Sequence, residues 1–403
     1  MPSAMRVLIS GGGIGGLTAA LAFQKMGHQV TLLEQAPRLE EIGAGLQLSP
    51  NGMRVFEVLG VSARVERDAF RPRAQELRFG RSGAKILTIP LRDVSRSRWG
   101  AEYLHIHRAD LIEALHGALV DRDPDAVQLG QRVTGYTNTG EGVIAHLDDG
   151  QSLTGDLLIG ADGIHSALRT QMIGPDAPRF TRNIAWRAVA PLSELGADIP
   201  PESACVWVGG RRHAVTYRLR RGSVANLVAV VESKEQPSES WTSTGTREQA
   251  LKDFAKWSPV IRRILEKAKV LNRWALYDRA PLEKWSDGRA VLLGDACHPM
   301  LPFLAQGAVM AIEDAYVLAR LVTDCADLAD ALTRYEAIRK PRTSRVQAGA
   351  RRNASLFHHG DPFTQMVTYG PIWLAGQFLP SFAHGQYDWI YSHDVTAMTE
   401  AAS

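Results

Sequence analysis

Cysteine is scarce in this chain, with only Cys205, Cys297 and Cys325 among 403 residues. An odd number at those spacings fits neither a disulfide framework nor a zinc knuckle, and a reducing cytoplasm is the expected compartment. Long apolar runs are missing too: none approaches the roughly 18 residues of a membrane helix. Only Arg6 precedes a short apolar run into a glycine cluster, which is not the layout of a signal peptide. Charge of one sign is not in excess, since 46 Lys and Arg, spread along the chain, stand against 43 Asp and Glu. That balance points away from nucleic acid. Neither a repeat of solenoid period nor a low-complexity segment is present. The remaining composition, 45% hydrophobic and 22% charged, is that of a folded protein long enough for two or three structural units.

The first 35 residues read as a β-α-β unit. Arg6 to Ser10 is a short buried strand. Leu17, Ala20, Leu21 and Phe23 give a helix its apolar side, Gly27 stops it, and Gln29 to Glu34 is a second strand. Residues 76–92 read as extended chain and 108–121 as a helix. Short strands follow from Val127 to Leu158, with a hairpin signal at Asp149-Gly150. From Ile184 to Glu232 longer strands rich in Val, Trp, Tyr and Thr, turning at Gly209-Gly210 and Arg221-Gly222, predict an antiparallel sheet. A Ser-, Thr- and Pro-rich loop at 235–246 leads to helices from Arg247 to Lys269. Ala290 to Leu293 returns to the buried strand style, a long helix starts at Gly307, and prolines 341, 362, 371 and 380 punctuate a helical remainder.

Gly11-Gly12-Gly13-Ile14-Gly15-Gly16 matches G-x-G-x-x-G directly after a strand and at the start of a helix. Glycines there let the backbone approach a pyrophosphate, whose charge suits the unpaired N–H groups of the helix N-terminus. Glu34 lies 18 residues beyond Gly16, followed by Gln35, where a carboxylate can accept from a ribose hydroxyl. Gly140-Glu141-Gly142 loosely fits the same string but has no helix after it, and reads as a turn. One dinucleotide site is therefore expected, for FAD or for NAD.

Later segments separate the two. Ala290 to Ala315 reads AVLLGDACHPMLPFLAQGAVMAIEDA. With Ile42-Gly43-Ala44-Gly45, Arg108 in His107-Arg108-Ala109-Asp110-Leu111, and Asp162-Gly163, it resembles the single-component flavin-dependent aromatic hydroxylases. That family includes para-hydroxybenzoate, salicylate and 3-hydroxybenzoate hydroxylases, and the likeness runs from about residue 5 to 345. The resemblance implies FAD contacts from Arg108, Asp162 and Gly45, a ribitol contact from Asp295, and Pro299 beside the flavin ring. It places Gly307 and Ala308 at a helix N-terminus facing the flavin's pyrimidine edge, where negative charge gathers on reduction. Cys297 stands where Ala is frequent and reads as a small buried hydrophobe; Ala305 stands where many members have Gly.

On the substrate side, His213 and Tyr217 are four apart in one strand and share a face. The resemblance sets such a pair over the substrate, where a histidine base would activate a phenol; half-buried packing is the alternative. Gln47 is a further pocket candidate, and Tyr103 and His105 could face the same cavity. Arg211, Arg212, Arg218, Arg220 and Arg221 read as a solvated edge, or as steering for an anion. His358-His359 reads as a tail pair, and no metal-ligand spacing appears.

The implied fold is α/β: a Rossmann-like FAD-binding domain of the para-hydroxybenzoate hydroxylase type with an inserted antiparallel sheet domain. Residues 1–75, 100–180 and 275–345 are assigned to the first, 76–99 and 181–274 to the second, and 346–403 to a C-terminal helical region. The implied activity is FAD-dependent hydroxylation of a small hydroxylated aromatic carboxylate with NADH or NADPH and O2, through a flavin C4a-hydroperoxide. Salicylate leads, with 3-hydroxybenzoate and 6-hydroxynicotinate as alternatives. A non-hydroxylating FAD-linked dehydrogenase or a redox sensor is the alternative of another class. No membrane or nucleic-acid partner is expected, and a homodimer is left open.

Overall fold

Residues 4–39, 45–176, 178–233, 245–378 and 380–397 are described by the computed structural model. The segment Ile42-Gly43-Ala44 and most of the 235–246 loop lie outside them. The opening strand Arg6–Ser10 pairs in parallel with both Gln29–Glu34 and Leu157–Gly160. It occupies the middle of a six-stranded sheet that ends on one side with Val127–Leu129 and on the other with Ala290–Leu292 and Ser286–Asp287. Strands from four separate stretches thus build one sheet. The helix Ile14–Lys25 is apolar nearly all round because helices pack on both of its flanks; Leu17, Ala20, Leu21 and Phe23 are completely buried. Gly27, at φ +89°, releases the chain from that helix into the second strand.

A second, seven-stranded sheet runs in the order Leu271–Asp278, Arg179–Pro191, Val224–Glu232, Arg212–Leu219, Ala204–Gly209, Ala74–Phe79, Lys85–Pro90. It is not wholly antiparallel as expected, because Ala204–Gly209 pairs in parallel with Ala74–Phe79. A strand that enters from a distant part of the chain is not bound by hairpin geometry and can dock in either direction. Alternation then sorts its side chains. Trp186, Trp207, Leu227 and Ala229 face the helices Arg247–Asp253 and Pro259–Lys267. Val208 and Val230 face the other way, onto Leu301, Phe303 and Phe357. This second face therefore looks at the loop that leads into the Gly307–Asp324 helix.

Two prolines do not punctuate. Pro341 lies inside the 30-residue helix Leu328–Phe357 and Pro371 inside Pro362–Phe378, whereas Pro362 and Pro380 begin helices. A proline inside a helix removes one hydrogen bond and costs about 3 kcal/mol. Arg339 and Arg342, on either side of Pro341, are locked into ion pairs with Glu313 and Asp314, which hold the helix through the defect. The Pro362–Phe378 helix exposes Phe363, Met366, Val367, Trp373 and Leu374. No helix among the described residues is long and apolar enough to cross a membrane.

Candidate functional site

At the carboxyl end of the central strand a cleft of about 380 Å3 opens between the glycine loop and the start of the Gly307–Asp324 helix. Gly11, Gly13, Ile14, Gly15, Glu34, Gln35, Arg108, Asp162, Asp295, Gly307 and Ala308 all line it. The loop tolerates no other residue at two points. A Cβ on Gly16 would lie 1.9 Å from the Gly11 carbonyl oxygen, and one on Gly11 2.4 Å from that of Ala161. Gly16 thus shapes the cleft without lining it. Gly13, by contrast, faces open space and caps the Ile14–Lys25 helix with no side-chain hydrogen bond and no acid in the first turn. Unpaired N–H groups and the positive helix end are left for an anion.

Glu34 has a task the sequence did not reveal. Its two carboxylate oxygens accept from the N–H of Gly12 (2.6 Å) and of Ala36 (2.8 Å), tying the second strand to the glycine loop. Each oxygen keeps a lone pair for a ligand hydroxyl. Asp162 accepts from the Ala167 N–H with one oxygen, while the other is buried without a partner. Asp295 lines the cleft, and its carboxylate has no hydrogen-bond partner among the described residues. Gly45 lies outside the cleft lining. Its N–H donates to Asn226 Oδ1 at 3.0 Å, and its missing side chain makes room for the Tyr217 ring, which a Cβ would meet at 2.5 Å.

Beneath the cleft sits a buried charge network. Asp314 accepts from the Gly294 N–H (3.1 Å) and Arg339 Nε (2.7 Å) and meets His298 Nε2 at 2.5 Å. Glu313 accepts from Arg339, Arg342 and Asn51. Burial by itself would raise both acids; the arginines, with His298 on Asp314, hold each at about 2 instead. Cys297, His298 and Asp314 bring three possible metal-ligand atoms within 4.8 Å of one another. The Asp314 oxygens are already engaged by His298, Gly294 and Arg339, and the guanidinium opposes a cation. Cys297 is fully buried, its thiol donating to the Gly294 carbonyl. Pro299 is buried, its carbonyl accepting from Gln347 at 2.8 Å.

Ala305 adopts the left-handed region at φ +53° and ψ +34°. That conformation costs an L-residue about 1–2 kcal/mol. The turn it makes hands Gln306 to the helix N-terminus, where Gln306 bonds Ser49 and Asn51. Ala305→Gly is expected to stabilise the protein by up to about 1 kcal/mol in urea unfolding, a net of relieved strain and added chain entropy. A loss of stability would show that the methyl group packs favourably.

The sheet face opposite the helices carries His213 and Tyr217, both buried, on one side of the strand Arg212–Leu219. Four residues separate their Cα atoms by about 13 Å along a strand, so each has its own surroundings. Tyr217 sits against Gly45 and the His105 ring, 4.9 Å between centroids. Tyr103 joins this group, its hydroxyl donating to Gln47 at 2.6 Å and accepting from Gln75, which also bonds Tyr391. Burial pushes His105 down to about 3, which keeps it neutral. His213 lies against Phe303 and Phe357, with Nδ1 2.7 Å from Nε2 of His358. Gln75, His358 and Tyr391 reach this face from other parts of the chain, whereas Asn226, opposite Tyr217, and Glu232 come from the next strand of the same hairpin. The arginine cluster is consumed by local bonds: Arg211 to Glu232, Arg212 to the Asp253 carbonyl, Arg218 to the Pro200 carbonyl, Arg220 to Asp110 and Arg221 to the Arg67 carbonyl.

The profile of the FAD binding domain family matches residues 4–350. The 6-hydroxynicotinate 3-monooxygenase of Pseudomonas fluorescens is 35% identical over 370 residues, 90% of this chain and 94% of that protein. The 3-hydroxybenzoate 6-hydroxylase of Klebsiella oxytoca is 34% identical over 393 residues, 97% of each chain. Among solved structures, a salicylate hydroxylase substrate complex superposes with a TM-score of 0.80 at 27% identity, covering 98% of this chain and 96% of the other.

Proposed function

The chain belongs to the FAD binding domain family, and on that premise we propose that it is a monooxygenase hydroxylating a small hydroxylated aromatic carboxylate with NAD(P)H and O2. The observation that carries this reading is the opposition of two surfaces. A cleft built for a dinucleotide ends at the Gly307 helix, and the loop before that helix packs against the sheet face bearing His213.

The residues present fit FAD. Gly11, Gly13, Ile14, Gly15 and the helix N-terminus would take the pyrophosphate. Glu34 and Gln35 would take the adenosine ribose, Arg108, Asp162 and Asp295 the remaining chain, and Gly307 and Ala308 the flavin's pyrimidine edge. The unpartnered oxygen of Asp162 and the unpartnered Asp295 carboxylate are the acceptors such a polyol requires. Bound FAD supplies reduction by NAD(P)H and activation of O2. The protein's own part is to exclude water, orient the ring and take a proton. His213 takes the phenol proton, Tyr217 and Gln47 bound the ring, and Pro299 shapes the turn beside it.

The test is a panel of salicylate, 3-hydroxybenzoate and 6-hydroxynicotinate, scoring NADH and NADPH oxidation together with product. Two relatives at 34–35% identity are named for 6-hydroxynicotinate and 3-hydroxybenzoate, which is why both stand in the panel beside salicylate. Oxidation that no acid stimulates would turn the assignment towards a non-hydroxylating flavoprotein.

Two substitutions check the cofactor side. Asp295→Ala should lower flavin occupancy or slow flavin reduction; a fully occupied, kinetically normal variant would remove Asp295 from the site. Glu34→Ala should weaken FAD retention by loosening the glycine loop and losing a ribose acceptor, while enzyme saturated with added FAD turns over nearly as before. Failure of excess FAD to restore well-folded protein would contradict that role.

A further inference from the structure

His213 is the inner end of a hydrogen-bonded chain. Its Nδ1 meets His358 Nε2 at 2.7 Å, and His358 Nδ1 meets Glu232 Oε1 at 3.0 Å. The other oxygen of Glu232 accepts from Arg211 Nε at 3.0 Å. Exposure rises step by step along it: His213 is 1% exposed, the side chain of His358 6% and that of Glu232 34%. The chain thus starts inside the sheet face and ends in solvent.

A carboxylate can only accept, so Glu232 places the His358 proton on Nδ1. Neutral His358 then offers a lone pair at Nε2, which requires His213 to carry its proton on Nδ1. His213 is left with a lone pair on Nε2, which has no hydrogen-bond partner among the described residues. From the polarity of these bonds we propose that Glu232 and His358 form a proton relay that sets the His213 tautomer and carries the substrate proton to solvent. The inference rests on His213 being the base of the proposed hydroxylation. When the phenol O–H proton moves to His213 Nε2, the Nδ1 proton passes to His358 Nε2. The His358 Nδ1 proton passes to Glu232 and then to water, and charge balances at each transfer.

The relay resolves a difficulty with His213 acting alone. Burial, and then the neighbouring His358, push its proton affinity far below the usual histidine range. An isolated base so perturbed would hold a phenol proton poorly. Passing the proton outward removes the need to keep charge in the apolar pocket. Glu232 suits the outer position: partial burial would raise it, but Arg211 and His358 hold its carboxyl below the ordinary range. The titratable and charged groups facing the relay are Glu232, Arg211 and Arg212 from the sheet and His359 from the following turn. Among the described residues, Phe303 and Phe357 touch its ring and Val208 and Val230 flank it across the strands, and all four are apolar. His358 protonation would reverse the polarity, forcing the His213 proton to Nε2 and abolishing the base. The relay therefore works above the His358 pKa and fails below it.

The experiment uses FAD-replete enzyme with whichever of salicylate, 3-hydroxybenzoate and 6-hydroxynicotinate yields product. His358→Ala should slow hydroxylation about 10- to 100-fold, as loss of an orienting partner does, with KM for the acid unchanged and with rescue by added imidazole. Glu232→Gln should lower the plateau rate and move the acid limb of the pH profile downward, because the carboxylate that holds a proton on His358 is gone. A packing role predicts neither rescue nor a moved limb. An unaltered rate and pH profile in His358→Ala, or a slow variant that imidazole does not rescue, overturns the relay. Should His358→Ala not retain FAD, the half-exposed Glu232→Gln decides: an unmoved acid limb overturns it. His213→Ala separates the two levels. If that variant is impaired while the relay variants are normal, only the relay falls; if it is normal, the base assignment falls first.

Discussion

His213→Ala is expected to lower the rate of hydroxylation by about 10²- to 10⁴-fold, the usual contribution of a general base. Burial keeps the imidazole neutral at physiological pH, so its lone pair is available without a prior deprotonation. FAD content should not change, because His213 lies on the sheet and not in the cleft lining. The substrate would still stimulate NADH oxidation, but more of the oxygen would emerge as peroxide. The deciding measurement is the ratio of product formed to NADH consumed under saturating aromatic acid. An unchanged ratio and rate would return His213 to a packing role against Phe303 and Phe357. Tyr217→Phe should do less. Its hydroxyl is removed but the ring that fills the space over Gly45 remains.

Arg339→Met should destabilise the fold by about 3–5 kcal/mol, the cost of breaking a buried ion pair from one side. Arg339 is completely buried and donates to both Asp314 and Glu313. Its loss strands Asp314 with His298, and leaves Glu313 with Arg342. Because Asp314 also accepts from the Gly294 N–H, the damage should extend to the cleft and show as lost flavin. The pH dependence follows from the same groups. Glu313 and Asp314 lie at about 2 in the folded chain against ordinary values of 4.5 and 3.8. Their contribution is therefore complete above about pH 4.5 and is lost as pH falls towards 2. Urea unfolding at pH 7 and at about pH 3, inside that window, would measure both effects. A variant within about 0.5 kcal/mol of the parent, the scale of ordinary surface substitutions, would show that the network is dispensable. Replacing Arg339, Glu313 and Asp314 together by apolar residues should cost less than the single change, since no charge is then left unpaired.

Much of the cleft at the glycine loop was legible in the sequence. Strand, G-x-G-x-x-G, helix and acid are consecutive in the chain, and local geometry leaves few ways to arrange them. That is why Gly11, Gly13, Gly15 and Glu34 meet at one cleft with Gln35. The Gly307 helix start was legible for the same reason, being a turn followed by unbroken helix formers. Strand parity likewise put His213 and Tyr217 on one face, because a period of two needs no tertiary information.

Only the tertiary structure decided what those side chains face. Along a strand their shared face hides a separation of about 13 Å, and the partners at each end come from elsewhere: Gly45 and His105 for Tyr217, Phe303 and His358 for His213. In the sequence, His358 beside His359 is a polar pair near the end of a long helix. Its place between His213 and Glu232 depends on that helix continuing past Pro341, which Arg339 and Arg342 make possible through acids on another helix. The same holds for Glu34, whose hold on Gly12 depends on how a strand end closes over a loop. Local propensity and periodicity determine elements and faces. Contacts between residues 145 positions apart, such as His213 and His358, arise only when two sheets and three helices have packed and the chain has no freedom left to place them otherwise.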